Sequence, residues 1–214
     1  MNSQSHTFWE RLEAHHKGHG IREGLCRDWV FNERWDMDEF RKQKERVLFV
    51  LKETNGPVAD LMVYLEDKPL GLYWNVARWA YGILNDFPPF EKIPDGEELK
   101  QYLMKVAVIN IKKTPGEGNS EDPVIRTYAR QDREFLLEQI RAAQPTMIVA
   151  CGTIVSVIEL LDLAAIPEKL KDAPVEDQVR KAWVIPMQHP RARTNLQKNY
   201  ENLKKRVRRA RTAE

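Results

Sequence analysis

The sequence predicts a three-layer α/β/α fold built on a central, mostly parallel four-stranded sheet. Three observations predict it. Residues 47–51, 106–111, 147–150 and 182–187 are short apolar runs, rich in Val or Ile and bounded by charged, Gly or Pro residues, as buried strands are. Helical patterns lie between the runs. The runs are apolar throughout rather than alternating, the pattern of parallel strands covered by helices on both faces.

In chain order, residues 1–45 carry no clear strand and read as an N-terminal helical extension packed on a main body of residues 46–214. Phe8, Trp9, Leu12, Trp29, Phe31, Trp35 and Phe40 are its packing residues. After the first strand, residues 71–84 form an amphipathic helix with Tyr73, Ala77, Ala80 and Leu84 on one face. After the second, Tyr128, Phe135, Leu136 and Ile140 recur at helical spacing, so one helix over 124–143 is expected, ending before Pro145. Residues 153–163 follow Gly152 as an apolar helix. In the last helix Leu196, Tyr200, Leu203 and Val207 stand 4, 3 and 4 residues apart, leaving one apolar face and one basic face.

A chain of 214 residues fits one ordinary domain and buries a core without staples. With 42% hydrophobic and 31% charged residues it is neither disordered nor collagenous. Its two cysteines, Cys26 and Cys151, are far apart and form no CxxC, which excludes a disulfide scaffold, a four-cysteine zinc site and an all-cysteine iron–sulfur cluster within the chain. The N-terminus carries His6, Glu10, Arg11 and Glu13 where a signal peptide has an apolar run, and no stretch reaches membrane-spanning length. A cytoplasmic, reducing location is therefore expected, with no membrane partner. The net charge is +2, but residues 189–214 hold nine Lys or Arg and two Glu, so the C-terminal stretch is +7 and the remainder −5. That polarity points to an anionic partner; a solvated basic helix is the plainer reading.

Sites in parallel sheets form at the carboxyl ends of the strands. Glu53, Asn110 and His189 follow or end the first, second and fourth runs. Glu can act as a general base, Asn offers an amide that donates and accepts, and His can donate to a developing anion. Singly, each is more often a cap, a turn residue or a structural histidine; their joint occurrence at three strand ends makes them candidates. Three lesser features have plainer readings. His15, His16 and His19 have metal-ligand spacing but neighbour Gly18 and Gly20, Cys151 suits a small buried filler, and Gly116-Glu117-Gly118 lacks the Lys-Ser/Thr of a phosphate loop.

The stretch from Asn110-Ile111-Lys112-Lys113 with Pro115, through Leu137-Glu138-Gln139-Ile140, to Pro145-Thr146-Met147-Ile148-Val149-Ala150-Cys151-Gly152 resembles the uracil-DNA glycosylase superfamily, closest to its bacterial and archaeal iron–sulfur branch. Gln188-His189-Pro190-Arg191 is similar to the second motif of that family, Lys52-Glu53-Thr54-Asn55-Gly56 stands for the first, and Gly71-Leu72-Tyr73-Trp74 occupies the place of a base-stacking aromatic. The likeness spans residues 46–202. Three features depart from the branch: the cluster cysteines are missing, Lys52 replaces a glycine, and Asn55 replaces the motif proline.

The resemblance implies a uracil-DNA glycosylase-like α/β domain that hydrolyses the N-glycosidic bond of an extruded, deaminated base such as uracil in DNA. It implies catalytic roles for Glu53 or Asn55, which would orient water, and for His189, which would stabilise the departing base. Asn110 would read the base edge, with Tyr73 or Trp74 stacking on the ring. Lys112, Lys113, Arg191 and Arg193 would hold DNA phosphates. No metal and no cofactor are expected, and a monomer is expected. The other readings are a catalytically inactive nucleic-acid or nucleobase binding module of the same fold, and a hydrolase of a small nucleoside or nucleotide.

Overall fold

The structure, a computed structural model, describes residues 3–67, 71–116, 121–163, 173–192 and 195–213. Five strands form one sheet: β1 (Val47–Leu51), β2 (Ala107–Asn110), β3 (Met147–Cys151), β4 (Val175–Asp177) and β5 (Ala182–Met187). Their order is β2-β1-β3-β5-β4. The four strands read from the sequence are parallel, and β4 runs antiparallel to β5 at the edge. Among the described residues the sheet thus has five strands where four are expected. β4 is three residues long, Val-Glu-Asp, with no apolar run to announce it. It pairs only with Ala182, Trp183 and Val184 and stops short of Pro186, whose missing N–H would break a longer ladder.

Every residue of β1, β2 and β3 is buried. Each Val, Leu, Ile or Phe so removed from water contributes about 1.5–3 kcal/mol, which is why these uninterrupted apolar runs settle at the centre. Helices cover both faces. Between β1 and β2 lie α3 (Leu61–Asp67), α4 (Tyr73–Leu84) and α5 (Gly96–Met104); between β2 and β3 lie α6 (Asp122–Gln131) and α7 (Arg133–Ala143). The first crossover steps from β1 out to β2 and the second steps back past β1 to β3, and right-handed crossovers of opposite direction put their helices on opposite faces. Accordingly α4 packs on α5 and on the final helix α9 (Leu196–Arg211), while α6 packs on α7 and α8 (Ile154–Leu161).

The helix expected over 124–143 is two helices, α6 and α7, broken at Asp132. Its buried carboxylate is drawn to His16 Nε2 at 2.9 Å, at the end of α1 (Ser3–Gly18). α7 ends at Gln144, whose left-handed backbone (φ 50°) turns the chain ahead of Pro145. Asn195 caps α9 by accepting from the Lys198 N–H at 3.0 Å.

The first 45 residues also hold α2 (Met37–Lys42), opened by Asp36 as N-cap. Phe8, Trp9 and Leu12 make a small cluster against Leu25, Phe31 and Phe135, whereas Trp29, Trp35 and Phe40 enter the main core. The stretch around Trp29 runs along the outer edge of β2. The Trp29 N–H donates to the Val108 carbonyl at 3.2 Å and the Cys26 N–H to the Lys113 carbonyl at 2.6 Å, so this edge is covered rather than left open. Among the described residues no helix is long and apolar enough to cross a membrane.

Candidate functional site

Strand order reverses at β1, with β2 on one side and β3 on the other, so the crevice outside its carboxyl end is where an open α/β sheet receives a ligand. Register fixes the heights of the residues around it. Leu51 pairs with Asn110, and Cys151 with Met187. Asn110 therefore ends its strand level with Leu51, while Glu53 and His189 each lie two residues beyond that level, roughly 6–7 Å further out.

A cleft of about 420 Å³ opens here, lined by Glu53, Thr54, Asn55, Val58, Leu61, Tyr64, Leu72, Tyr73, Asn75, Pro190 and Arg191 among others. One wall is apolar (Val58, Leu61, Leu72), and Glu53, Asn55 and Arg191 supply charge and polarity. Of the residues singled out from the sequence, Glu53, Asn55, Tyr73 and Arg191 share this cleft. His189 immediately precedes its Pro190 wall. Asn110 is fully buried and is not on the lining, and neither is half-buried Trp74, which packs against the core. Arg193 lies outside the described residues.

The loops after β1 and β2 are zipped together. The Lys112 N–H donates to the Lys52 carbonyl at 2.9 Å, the Gly116 N–H to that of Thr54 at 2.8 Å, and the Gly56 N–H to that of Gly116 at 3.0 Å. Gly116 leaves room for the Glu53 carboxylate as placed, because a Cβ there would lie 1.8 Å from Glu53 Oε1. The Glu53 carboxylate accepts from Lys112 Nζ at 2.7 Å, and Lys112 also donates to the Pro115 carbonyl at 2.7 Å. Lys52 is paired with Asp122 at 2.6 Å.

Lys113 corrects the expectation of a phosphate contact. Its side chain is 0% exposed, and its ammonium donates to Asp28 Oδ2 at 2.5 Å and to Gln139 Oε1 at 2.6 Å. Lys112 and Lys113 are neighbours in the loop after β2, yet one side chain reaches Glu53 at the cleft and the other turns inward to Asp28. Burial raises the Asp28 carboxyl pKa above its ordinary value, and Lys113 opposes that rise.

Asn110 contrasts with this well-paired group. Neither its Oδ1 nor its Nδ2 has a hydrogen-bond partner, and the hydroxyls of Thr54 and Thr114 are likewise buried and unpaired. Tyr73 is 6% exposed, stacks on Trp29 with centroids 5.8 Å apart, and has its phenol pKa raised by burial. The Asn110 amide approaches the Tyr73 hydroxyl closely enough to oppose that shift, short of hydrogen-bond geometry. Tyr73 thus touches both the cleft and the unpaired amide beneath it.

His189 is held neutral. Burial, then the charges of Lys52 and Arg191, push its pKa below the usual 6.5. Its Nδ1 stands 3.2 Å from the Arg191 N–H, which donates to it, so the neutral ring carries its proton on Nε2. Gly152, at φ +70°, sits with its Cβ position 3.4 Å from His189, and Asn75 Nδ2 donates to the Pro190 carbonyl at 2.7 Å, tying the His-Pro turn to the first turn of α4.

Asp28, Gln139, Thr54, Thr114, Tyr64 and Asn75 are site residues that sequence reasoning did not single out. Gln139 stands within the quoted Leu137–Ile140 segment, but Asp28 lies in a stretch with no strand or helix signal. Cys151 is inert, its thiol pKa raised by burial alone. His16 is bonded to Asp132, and among the described residues no group of three or more His, Cys, Asp or Glu is arranged to hold a metal ion. A second depression of about 460 Å³, beside α6, α7 and α8, has its cations already paired, Arg130 with Glu159 and Arg133 with Asp162. On α9, Arg206 donates to the Pro186 carbonyl and Arg211 pairs with Glu45 and Asp86; Lys198, Lys205, Arg208 and Arg209 remain exposed. No protein-family model matches this chain, and no curated protein matches it either.

Proposed function

We propose that this cleft receives an extruded, deaminated base such as uracil from DNA, and that the protein hydrolyses its N-glycosidic bond. The observation that carries the reading is the Asn110 side chain, a fully buried amide with neither polar atom paired. A buried amide left unpaired costs about 1–3 kcal/mol, so its persistence calls for a ligand that completes it. An amide that donates and accepts side by side matches the paired acceptor and donor on one edge of uracil and mismatches cytosine. The four parallel strands under a three-layer α/β/α arrangement agree with the uracil-DNA glycosylase-like fold.

In this reading the ring enters beside Tyr73, which turns aside so that the base meets Asn110, buried behind it and off the cleft lining. Glu53, paired with Lys112, orients water toward the sugar carbon and favours the positive charge that develops there. The bond to the base breaks with its electron pair leaving on the base, and water adds to the sugar and loses a proton. His189, neutral and protonated on Nε2, donates to the departing anion; a preorganised donor of this kind is worth about 3–4 kcal/mol. Arg191 contacts phosphate from the cleft wall, and the exposed cations of α9 continue the attraction with a steep dependence on salt.

The Glu53–Lys112 pair, which engages the carboxylate, favours a second reading in which the protein binds a base without cleaving. Oligonucleotides bearing uracil, hypoxanthine, xanthine or mismatched thymine separate the two when scored for abasic sites and for binding. Abasic sites made by the wild type and lost in Glu53→Gln support hydrolysis. Tight, selective binding without abasic sites supports the binding module, and neither outcome on any base refutes both.

A further inference from the structure

We propose that Asp28, Lys113 and Gln139 form a positioning unit that fixes the orientation of Asn110, so that a residue from the N-terminal stretch governs base selectivity. This rests on the reading of Asn110 as the base-reading residue.

The geometry is specific to Asn110. Asp28 Oδ2 accepts from the Asn110 backbone N–H at 2.9 Å, which ties this cluster to the end of β2, and from Lys113 Nζ at 2.5 Å. Asp28 Oδ1 accepts from Gln139 Nε2 at 2.8 Å. Gln139 is fixed in turn, since Nε2 also donates to the Val30 carbonyl at 3.0 Å and Oε1 accepts from Lys113 at 2.6 Å. All three side chains are fully buried. The unit therefore clamps β2 on both sides of its turn, at Asn110 and three residues later at Lys113. Asp28 itself is held in register because its neighbours are bonded to the main body: the Cys26 N–H to the Lys113 carbonyl and the Trp29 N–H to that of Val108.

The Asn110 amide needs such a clamp. Its own polar atoms have no partner to orient them, and an Asn side chain with free χ2 can present donor and acceptor in either order. Selectivity between bases of opposite donor and acceptor pattern is lost if the amide turns over. A backbone held at the Asn110 N–H fixes where the side chain begins and keeps its amide against Tyr73, which restricts that turn. Displacing a recognition group by about 1 Å costs on the order of 100-fold in rate.

The test compares wild type, Asp28→Asn and the double variant Asp28→Leu with Lys113→Met, which removes both charges and so avoids stranding one in the core. Leu203→Ala, a buried truncation in α9, serves as a control for lost stability. Two readouts are taken on the full chain: the ratio of cleavage or binding between uracil- and cytosine-containing oligonucleotides, and the NMR signals of the Asn110 side-chain amide, identified by their loss in Asn110→Ala. The expected result is a selectivity ratio about 10- to 100-fold lower in Asp28→Asn and in the double variant, unchanged in Leu203→Ala, with the Asn110 signals shifted or doubled in the first two alone. A double variant that folds and keeps wild-type selectivity, or Asn110 signals unmoved in both Asp28 variants, overturns the proposal. A wild type that neither cleaves nor binds any oligonucleotide refutes the glycosylase reading instead, and the NMR comparison then still decides whether Asp28 positions Asn110.

Discussion

Two polar groups meet at the carboxyl end of β2, and they are built on opposite terms. Behind the strand, Asp28, Lys113 and Gln139 form a fully buried cluster whose charged and amide atoms are hydrogen-bonded to one another or to the backbone. In front of it, the Asn110 amide and the Thr54 and Thr114 hydroxyls are buried without a hydrogen bond of good geometry, although Asn110 lies near the Tyr73 hydroxyl and Thr54 near the Cys26 thiol. Folding alone explains the first group, because an ionised pair survives in a core only when its hydrogen bonds are complete. Folding does not explain the second, whose pairing needs remain open beside a cleft. On the proposed reading the contrast separates residues that hold the site from residues that meet a ligand, and altering each group should give opposite results.

The largest effect is expected in the paired group. Lys113→Ala leaves the Asp28 carboxylate in the core without its cation, at a cost of about 3–5 kcal/mol. In a domain of this size each kcal/mol lowers the melting midpoint by about 2–4 °C. Lys112→Ala should lose markedly less, because Glu53 stands on an open cleft and can take up water. The pH dependence also has a sign. Burial raises the Asp28 pKa and Lys113 lowers it, so without Lys113 the folded-state value rises further above the unfolded one. The folded variant then holds a proton that the unfolded chain releases, and its stability rises as pH falls through the folded pKa. Thermal melts of both variants across acid and neutral pH check this; equal losses in Lys112→Ala and Lys113→Ala would remove the distinction between the two lysines.

The sequence showed the paired group poorly and the open group better, for a physical reason. Buried parallel strands need uninterrupted apolar runs, so β1, β2, β3 and β5 were readable, and their ends led to Glu53, Asn110 and the turn at His189. Asp28 lies in irregular chain whose position depends on the backbone bonds of Cys26 to Lys113 and of Trp29 to Val108, contacts distant in sequence that leave no local pattern. The same holds for the break at Asp132, whose carboxylate meets His16 of a distant helix, and for β4, which pairs with the edge of β5. Lys112 and Lys113 look alike in sequence; only the direction in which each leaves the chain makes one a partner of Glu53 and the other a core residue.

A smaller effect of opposite direction is expected in the unpaired group. Asn110→Leu keeps the shape of the side chain and deletes two unsatisfied polar atoms. The penalty relieved is that of a buried unpaired amide, about 1–3 kcal/mol, so the variant should be as stable as the wild type or more so by up to that amount. Uracil cleavage or binding should vanish. A gain in stability joined to a loss of function is the mark of a residue kept for its site. Urea unfolding of the variant measures the first half and the oligonucleotide assay the second. A loss of stability comparable to that of Lys113→Ala would mean that the amide is paired in solution and that the two groups do not differ.

The smallest effect concerns His189, which shares features of both groups: its Nδ1 is bonded to the Arg191 N–H while Nε2 carries the proton available to a ligand. Its pKa is lowered chiefly by burial and further by the Lys52 and Arg191 charges. A histidine with a depressed folded-state pKa contributes nothing unfavourable above the unfolded value and destabilises the fold as pH drops below it, because the unfolded chain takes up the proton first. The neutral ring therefore persists on the acid side of 6.5, and the acid limb of any His189-dependent activity should fall below that pH. Lys52→Gln removes one positive charge from beside the ring without touching it. The NMR titration midpoint of His189 should move upward in this variant, and the acid limb should move with it. An unmoved midpoint would show that Asp122, which pairs with Lys52 at 2.6 Å, already cancels its field at the imidazole, leaving burial and Arg191 to keep the ring neutral.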